Sequence, residues 1–149
     1  MGEPILYRDY CGQSILFCGA GISFGSQLMK IAAQSSGEAE IYAYVLTAKD
    51  LRFLQQVLEF LGITLDLFTL IFTDSTTAKS WFKNPGATAR SRHYEKFLMY
   101  AREQYLNKIS HPKWISGQNQ IADILTKALD KTKFLRFRDA LLRLSGARR

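Results

Sequence analysis

The sequence predicts a single α/β domain over residues 1–149, with a mixed five-stranded sheet flanked by helices. Two observations predict this fold class. Runs rich in β-forming residues alternate along the chain with segments in which apolar residues recur every three or four positions. The length is that of one ordinary domain, and a hydrophobic content of 47% is enough for a core and too high for a disordered chain.

Five segments have the composition of strands. The fourth is almost continuously apolar or Thr, which is typical of a strand covered on both faces. Pro112 in the fifth lacks a backbone donor, which places that strand near a sheet edge or a bulge. In order, the predicted strands are Ile5–Asp9, Ser14–Cys18, a third between Ile22 and Ala33, Leu67–Thr73 and Ile109–Ile115.

A long amphipathic helix is predicted between the third and fourth strands. Ser35 and Glu38 fit a capping box that starts it, and Gly62 ends it. Its apolar face consists of Ile41, Tyr44, Val45, Ala48, Leu51, Leu54, Leu58 and Leu61. The other predicted helices are a short one ending at Phe82, then Ser91–Leu106, Gln120–Leu129 and Lys131–Leu144.

The net charge of +7 is concentrated in the second half of the chain. Residues 1–75 carry four basic and eight acidic residues, a net of −4, whereas residues 76–149 carry sixteen basic and five acidic residues, a net of +11. This asymmetry favours a polyanionic partner, and nucleic acid in particular, over a basic surface that is merely solvated.

The composition also limits the cellular setting. No apolar run approaches the roughly 20 residues of a membrane span, and the first ten residues lack the pattern of a secretory signal. Two cysteines cannot form a metal site alone, and a reduced, intracellular protein is expected. Nucleus, cytoplasm and organelle all remain open as compartments.

Four acidic residues stand where the predicted layout could bring them together. Asp9 and Asp74 end the first and fourth strands, Glu40 lies in the first turns of the long helix, and Asp123 lies near the start of the penultimate helix. Clustered carboxylates repel one another unless cations are present, and oxygen ligands favour Mg²⁺ or Mn²⁺. Two ions about 4 Å apart would suit phosphodiester hydrolysis. Taken singly, each acid is better explained as a plain surface carboxylate or a helix cap.

Several segments, in order along the chain, resemble the motifs of one family. They are “SSGEAE” at Ser35–Glu40, “IFTDSTTA” at Ile71–Ala78, “KNP” at Lys83–Pro85, “SRHYEKFLMYARE” at Ser91–Glu103, and “NQIADILTKAL” at Asn119–Leu129, which continues through Arg138. From about residue 5 to 142 the chain thereby resembles the ribonuclease H region at the end of the polyprotein of copia-type (Pseudoviridae) retrotransposons.

The resemblance implies a ribonuclease H-like fold and cleavage of the RNA strand of an RNA/DNA hybrid with two Mg²⁺ or Mn²⁺ ions. The family's active-site acids, which are catalytic because they bind those metals, match Glu40, Asp74 and Asp123. Glu40 is chosen over Glu38 because Glu38 already has the capping role and because the residues after Glu40 follow the family pattern.

Asp9 is the fourth acid predicted to bind metal and to act in catalysis. The family has Tyr-Ser-Asp-Ala-Asp-Trp on its first strand, followed by a long loop. Here Tyr7–Tyr10 is followed only by Cys11–Gln13 before the second predicted strand, so that Asp9 matches the first family Asp while the second acid and the loop are missing. In the alternative alignment, residues 8–13 lie inside that loop and the chain lacks the catalytic strand.

Basic side chains near these acids in sequence are expected to bind the phosphate backbone of an RNA/DNA hybrid or of structured RNA, which is recognised by shape. They are Arg90, Arg92, Lys96, Lys113, Lys127, Lys131 and Lys133. His93 matches the family's His, although a packing role explains it as well, and His111 is assigned to structure. Trp81 and Trp114 could lie beside a sugar or base, or in the core.

Two functional hypotheses follow. The first is a metal-dependent ribonuclease H. The second is a non-catalytic descendant that serves, with other protein subunits, as a structural or RNA-binding component of a ribonucleoprotein such as an organellar ribosome. The Met start, the shortened first strand and loop, and the very basic second half of the chain motivate the second hypothesis. An integrase- or resolvase-type nuclease has no support from “ADILTKAL”.

Overall fold

The structure is a computed structural model that describes residues 9–30, 32–33, 35–65, 68–76 and 94–144. The chain divides into two compact units. The hairpin unit is Met1–Ala39 with Ile121–Arg149, and the helix–sheet unit is Glu40–Gln120. In the described ranges the elements are β1 (Tyr10–Phe17), β2 (Ala20–Leu28), α1 (Ser36–Phe60), β3 (Thr69–Thr73), α2 (Glu95–Leu106), β4 (Ser110–Trp114), two 3₁₀ helices (Gly117–Asn119 and Ile121–Leu125) and α3 (Lys131–Leu142).

In the hairpin unit, β1 and β2 form an antiparallel pair. Cys18 and Gly19 connect them with φ values of 51° and 79°, the left-handed backbone that a tight hairpin turn requires. Helix α3 packs on β2 with Phe137 and Leu141 buried. Its first turn is capped by Asp130, whose Oδ1 accepts from the amide of Lys133 at 3.0 Å.

The second 3₁₀ helix also covers this hairpin, and Gly12 allows its close approach. A Cβ at Gly12 would lie 2.7 Å from Cγ2 of Thr126 and 3.0 Å from the Ala122 carbonyl oxygen. Any larger residue on β1 at this point would push the segment away, because its Cβ would lie closer to both neighbours than van der Waals contact permits.

Helix α1, most of which belongs to the helix–sheet unit, has the predicted limits. At its start the Ser35 Oγ accepts from the Glu38 amide at 3.3 Å, which confirms half of the predicted capping box. At its end Gly62 adopts φ 77° directly after the last turn. The predicted apolar face is buried from Ile41 to Leu51 and packs on Ile71 of β3 and Ala101 of α2.

The β3–β4 pair is parallel, with Thr69 opposite Ser110 and Thr73 opposite Trp114. Because successive residues of a strand point to opposite faces, Ile71 and Thr73 turn towards α1 and are buried. Leu70 and Phe72 point the other way and are 42% and 47% exposed. The expectation that this strand is covered on both faces is therefore wrong.

The predicted five-stranded sheet is not seen in the part of the chain that the structure describes, which instead forms two separate two-stranded sheets. Asp9, predicted to end a strand, immediately precedes β1, and most of the predicted Ile5–Asp9 strand lies outside the described residues. The predicted helix at Gln120–Leu129 is only a 3₁₀ helix at Ile121–Leu125. In this segment the Thr126 amide donates to the Asp123 carbonyl oxygen three residues earlier, at 3.1 Å, which is the tighter 3₁₀ pattern and is seldom sustained beyond one turn.

Among the described residues, we find no helix with both the length and the apolar character of a membrane span.

Candidate active site

Glu40 is held at the carboxyl end of β3. The Thr73 hydroxyl donates to the Glu40 Oε2 at 2.9 Å, although the two residues are 33 positions apart. The buried face of α1 positions Glu40 here, since Tyr44 and Val45, one turn on, lie in the core against β3 and its neighbours. The Ser75 amide in turn donates to the Thr73 Oγ1 at 3.2 Å, which ties the turn after the strand to the same hydroxyl.

Asp74 directly follows Thr73 and is half-buried. The indole N–H of Trp114 donates to the Asp74 carbonyl oxygen at 3.1 Å, and the Ile115 amide donates to the Thr73 carbonyl oxygen at 2.9 Å. The first 3₁₀ helix then passes close to the carboxylate, because a Cβ at Gly117 would lie 3.3 Å from the Asp74 Oδ2. The last residue of β4 therefore holds the backbone of Asp74, and the segment after β4 runs close beside its carboxylate.

The helix–sheet unit thus brings Glu40 into contact with Thr73, and Asp74 is the next residue in the chain. Both are oxygen ligands, and Mg²⁺ is typically held by one or two carboxylates while waters and substrate phosphates complete its shell. This donor set fits a Mg²⁺ or Mn²⁺ ion. Within neither unit do three or more His, Cys, Asp or Glu residues, among those described, form a group that could hold a metal by themselves.

Asp123 lies in the hairpin unit and has a different environment. It is 7% exposed, and both of its carboxylate oxygens bind ammonium groups: Oδ1 lies 2.8 Å from Lys127 Nζ, and Oδ2 lies 3.1 Å from Lys133 Nζ. The Lys133 ammonium also lies 5.2 Å from the centre of the Phe137 ring. Two positive charges therefore already neutralise this acid, so it does not fit a metal in this arrangement. The metal role of Asp123 and the phosphate role of both lysines stay predictions.

Asp9, in the same unit, is exposed, and its carbonyl oxygen accepts from the Met29 amide at 2.9 Å, which closes the open end of the hairpin. Asp9 and Asp123 belong to one unit, whereas Glu40 and Asp74 belong to the other. The convergence of all four acids at one metal centre stays a prediction.

The remaining predicted residues have simple surroundings. Lys96, Lys113 and Lys131 are exposed, and the Lys113 ammonium lies 5.9 Å from the centre of the Phe72 ring. The His111 ring packs against the rings of Phe68 and Tyr105, at centroid distances of 5.9 and 5.3 Å, in keeping with a structural role. Arg90, Arg92, His93 and Trp81 lie outside the described residues.

Three residues around Asp74 were missed by sequence reasoning: Thr73, Trp114 and Gly117. The sequence pattern marks Thr73 only as a strand residue, and Trp114 only as a core or substrate-facing residue without an assigned partner. A polar residue on the buried face of a strand, directly before an acid, is a signal that could have singled out Thr73, because buried hydroxyls need hydrogen-bond partners.

Segments of plant transposon polyproteins are similar to most of this chain. The retrovirus-related Pol polyprotein from transposon TNT 1-94 of Nicotiana tabacum is 32% identical over 127 residues, which make up 85% of this chain and 10% of that polyprotein. The corresponding polyproteins from transposons RE1 and RE2 of Arabidopsis thaliana are both 30% identical over 116 residues, 78% of this chain and 8% of each polyprotein. The homologues of this chain are copia-type Pol polyproteins.

The chain spans a tenth or less of the length of these Pol polyproteins. No family model and no solved structure matches it. The predicted kinship with copia-type retroelements is thus confirmed at the level of the polyprotein, and the assignment to its ribonuclease H region is taken up below.

Proposed function

We propose that this chain is the ribonuclease H region of a copia-type Pol polyprotein and hydrolyses the RNA strand of RNA/DNA hybrids. The observation that carries the proposal is the position of Glu40, whose carboxylate is bound to Thr73 beside Asp74 at the end of a parallel strand. The similarity to Pol polyproteins and the order of the sequence motifs support it.

In this proposal, Glu40 and Asp74 hold a Mg²⁺ or Mn²⁺ ion, and the metal roles of Asp9 and Asp123 in a two-ion arrangement stay the predictions made from the sequence. A bound divalent ion supplies Lewis-acid stabilisation of the phosphate and a more acidic water. The exposed Lys96, Lys113 and Lys131 attract the phosphate backbone, which is recognised through its shape and its 2′-hydroxyls.

The test is cleavage of a labelled RNA/DNA hybrid by the purified chain with Mg²⁺ or Mn²⁺. Glu40→Gln and Asp74→Asn should each lower the rate on the order of 10²-fold or more, because a metal contributes several kcal/mol at the transition state. Glu103→Gln is the matched control, since Glu103 is an exposed glutamate on α2 of the same unit. A wild-type chain that fails to cleave the hybrid overturns the enzymatic proposal.

Asp74→Asn also makes a prediction for stability. Because neutralising one of two neighbouring carboxylates removes repulsion, the melting temperature without metal should stay the same or rise while cleavage is lost. Thermal unfolding followed by circular dichroism measures this. A clear drop in melting temperature would instead identify Asp74 as a structural hydrogen-bond acceptor.

One observation favours a second candidate, a non-catalytic RNA-binding or structural component of a ribonucleoprotein assembly. Asp123, predicted to bind metal, is neutralised by Lys127 and Lys133. In this case the chain would bind an RNA/DNA hybrid or structured RNA but leave it intact. Binding without cleavage in the assay above would support this candidate, and cleavage that depends on Glu40 and Asp74 would exclude it.

A further inference from the structure

We propose that Thr73 is a positioning residue, whose hydroxyl fixes the Glu40 carboxylate in the orientation in which it shares a divalent cation with Asp74. This inference rests on the proposed function and extends it to a residue outside the predicted set of acids. Its starting point is the pair of hydrogen bonds at the Thr73 Oγ1, which link helix α1, strand β3 and the turn that follows the strand.

The direction of the two bonds is fixed by chemistry. A backbone amide can only donate, so the Ser75 N–H occupies an acceptor position of the Thr73 oxygen at 3.2 Å. The single hydroxyl proton is then directed to the Glu40 Oε2 at 2.9 Å. The Glu40 oxygen therefore accepts one directed hydrogen bond from a donor whose own position is fixed by the Ser75 amide.

Burial makes this bond selective for one orientation of Glu40. Thr73 is 7% exposed and stands on the face of β3 that packs against α1, so water competes little for its proton. Glutamate has a flexible side chain that a single strong contact can restrain. A carboxylate has about four lone-pair positions on its two oxygens, so a hydrogen bond accepted from Thr73 is compatible with metal binding by the same group.

Thr73 also connects this orientation to Asp74. The main-chain oxygens of both residues accept hydrogen bonds from the end of β4, Thr73 from the Ile115 amide and Asp74 from the Trp114 indole. Glu40, through the Thr73 hydroxyl, and Asp74, through its backbone, are therefore both tied to the same end of β3. Holding the ligands in place before the cation arrives reduces the rearrangement that binding requires.

The test compares Thr73→Val, which removes the hydroxyl and keeps the shape, with Thr73→Ser, which keeps the hydroxyl. Thr47→Val is the matched control, because Thr47 lies on α1 and donates to a helix carbonyl oxygen, that of Ala43, at 2.9 Å. Mn²⁺ binding to each full chain without nucleic acid is measured by electron paramagnetic resonance, with Glu40→Gln to show that the signal reports this site. Hybrid cleavage is measured as separate kcat and KM values.

We expect Thr73→Val to weaken Mn²⁺ binding roughly tenfold and to lower kcat about 10- to 100-fold with little change in KM, since misplacing a reacting group acts on the chemical step. Thr73→Ser and Thr47→Val should behave like the wild type. If Thr73→Val unfolds, Thr73→Ala is carried through the same measurements.

The outcomes separate this inference from the proposed function. If the wild type cleaves the hybrid and Thr73→Val matches it in Mn²⁺ affinity and kcat, the positioning role is wrong and the ribonuclease stands. If Mn²⁺ binding depends on Glu40 and Thr73 but the wild type does not cleave, the ribonuclease is wrong and the positioning role stands. The inference is overturned if Thr73→Ser binds Mn²⁺ and cleaves the hybrid as poorly as Thr73→Val does. It is also overturned if the wild type shows no Mn²⁺ binding that depends on Glu40.

Discussion

At Asp123, two lysine ammoniums lie within 3.1 Å of a carboxylate that the sequence predicts to bind metal. Asp123→Asn would leave Lys127 and Lys133 facing each other without the charge between them. We expect a loss of about 1–2 kcal/mol in unfolding free energy without metal, a modest figure because Lys127 is largely exposed and can turn into solvent. Urea denaturation measures it. An unchanged or more stable variant would show that the lysines do not hold this acid, and would strengthen the metal-binding assignment.

Gly117 provides a second residue-scale prediction, because a methyl group there would lie 3.3 Å from the Asp74 Oδ2. We expect Gly117→Ala to displace the Asp74 carboxylate by a few tenths of an ångström and to lower hybrid cleavage roughly tenfold, while the melting temperature changes little. Gln118→Ala in the same 3₁₀ helix is the control and should cleave normally. Equal activity of both variants would argue that Asp74 has freedom to adjust.

At the scale of elements, a buried hydrogen bond joins α1 to β4: the Tyr44 and Ser110 hydroxyls lie 2.8 Å apart. Burial raises the pKa of Tyr44 from 10.0 to about 12, against the smaller lowering effect of the Ser110 bond. The pKa of Tyr44 is therefore higher in the folded chain than in the unfolded chain. The contribution of its buried neutral hydroxyl to the unfolding free energy is fully present below pH 10 and is lost between about pH 10 and 12. The full loss amounts to roughly 3 kcal/mol.

Tyr44→Phe should remove this dependence. Near pH 8 the variant should be about 1 kcal/mol less stable than the wild type, since a buried hydrogen bond is lost. At about pH 11.5 that deficit should vanish or reverse, because phenylalanine has no proton to lose. Urea denaturation at both pH values tests this, and a deficit of constant size would show that Tyr44 does not titrate in this range.

For the molecule as a whole, the net charge of +11 over residues 76–149 makes a prediction about binding. Affinity for an RNA/DNA hybrid should fall steeply with salt and depend little on sequence, because binding releases cations condensed on the phosphates. Lys113→Ala should reduce the slope of log affinity against log salt by about one, provided that this exposed lysine contacts a phosphate. Filter binding at several salt concentrations measures the slope. An affinity that does not change with salt would contradict the electrostatic interpretation.

The sequence by itself determined the features that are local along the chain. The start of α1 at the Ser35 cap, its end before Gly62, strand β3 and helix α3 were all predicted and are confirmed. The predicted apolar face of α1 is confirmed from Ile41 to Leu51, whereas Leu61, predicted to continue it, is 63% exposed. Caps, breakers and apolar periodicity act within a few residues, which explains this success. The motifs also identified the copia-type relationship. The single domain and its nuclease activity stay predictions.

Tertiary structure decided what depends on partners distant in sequence. The pairing of β1 with β2 begins at Tyr10, which places Asp9 immediately before a strand. Only the packing of α1 on β3 shows that Thr73 binds Glu40, 33 positions away. The compact 3₁₀ turn and the start of α3 bring two lysines to Asp123, where spacing alone predicted a metal ligand. A carboxylate has the same local sequence signal whether it meets a cation, a lysine or a hydroxyl, so its partner is set by the fold.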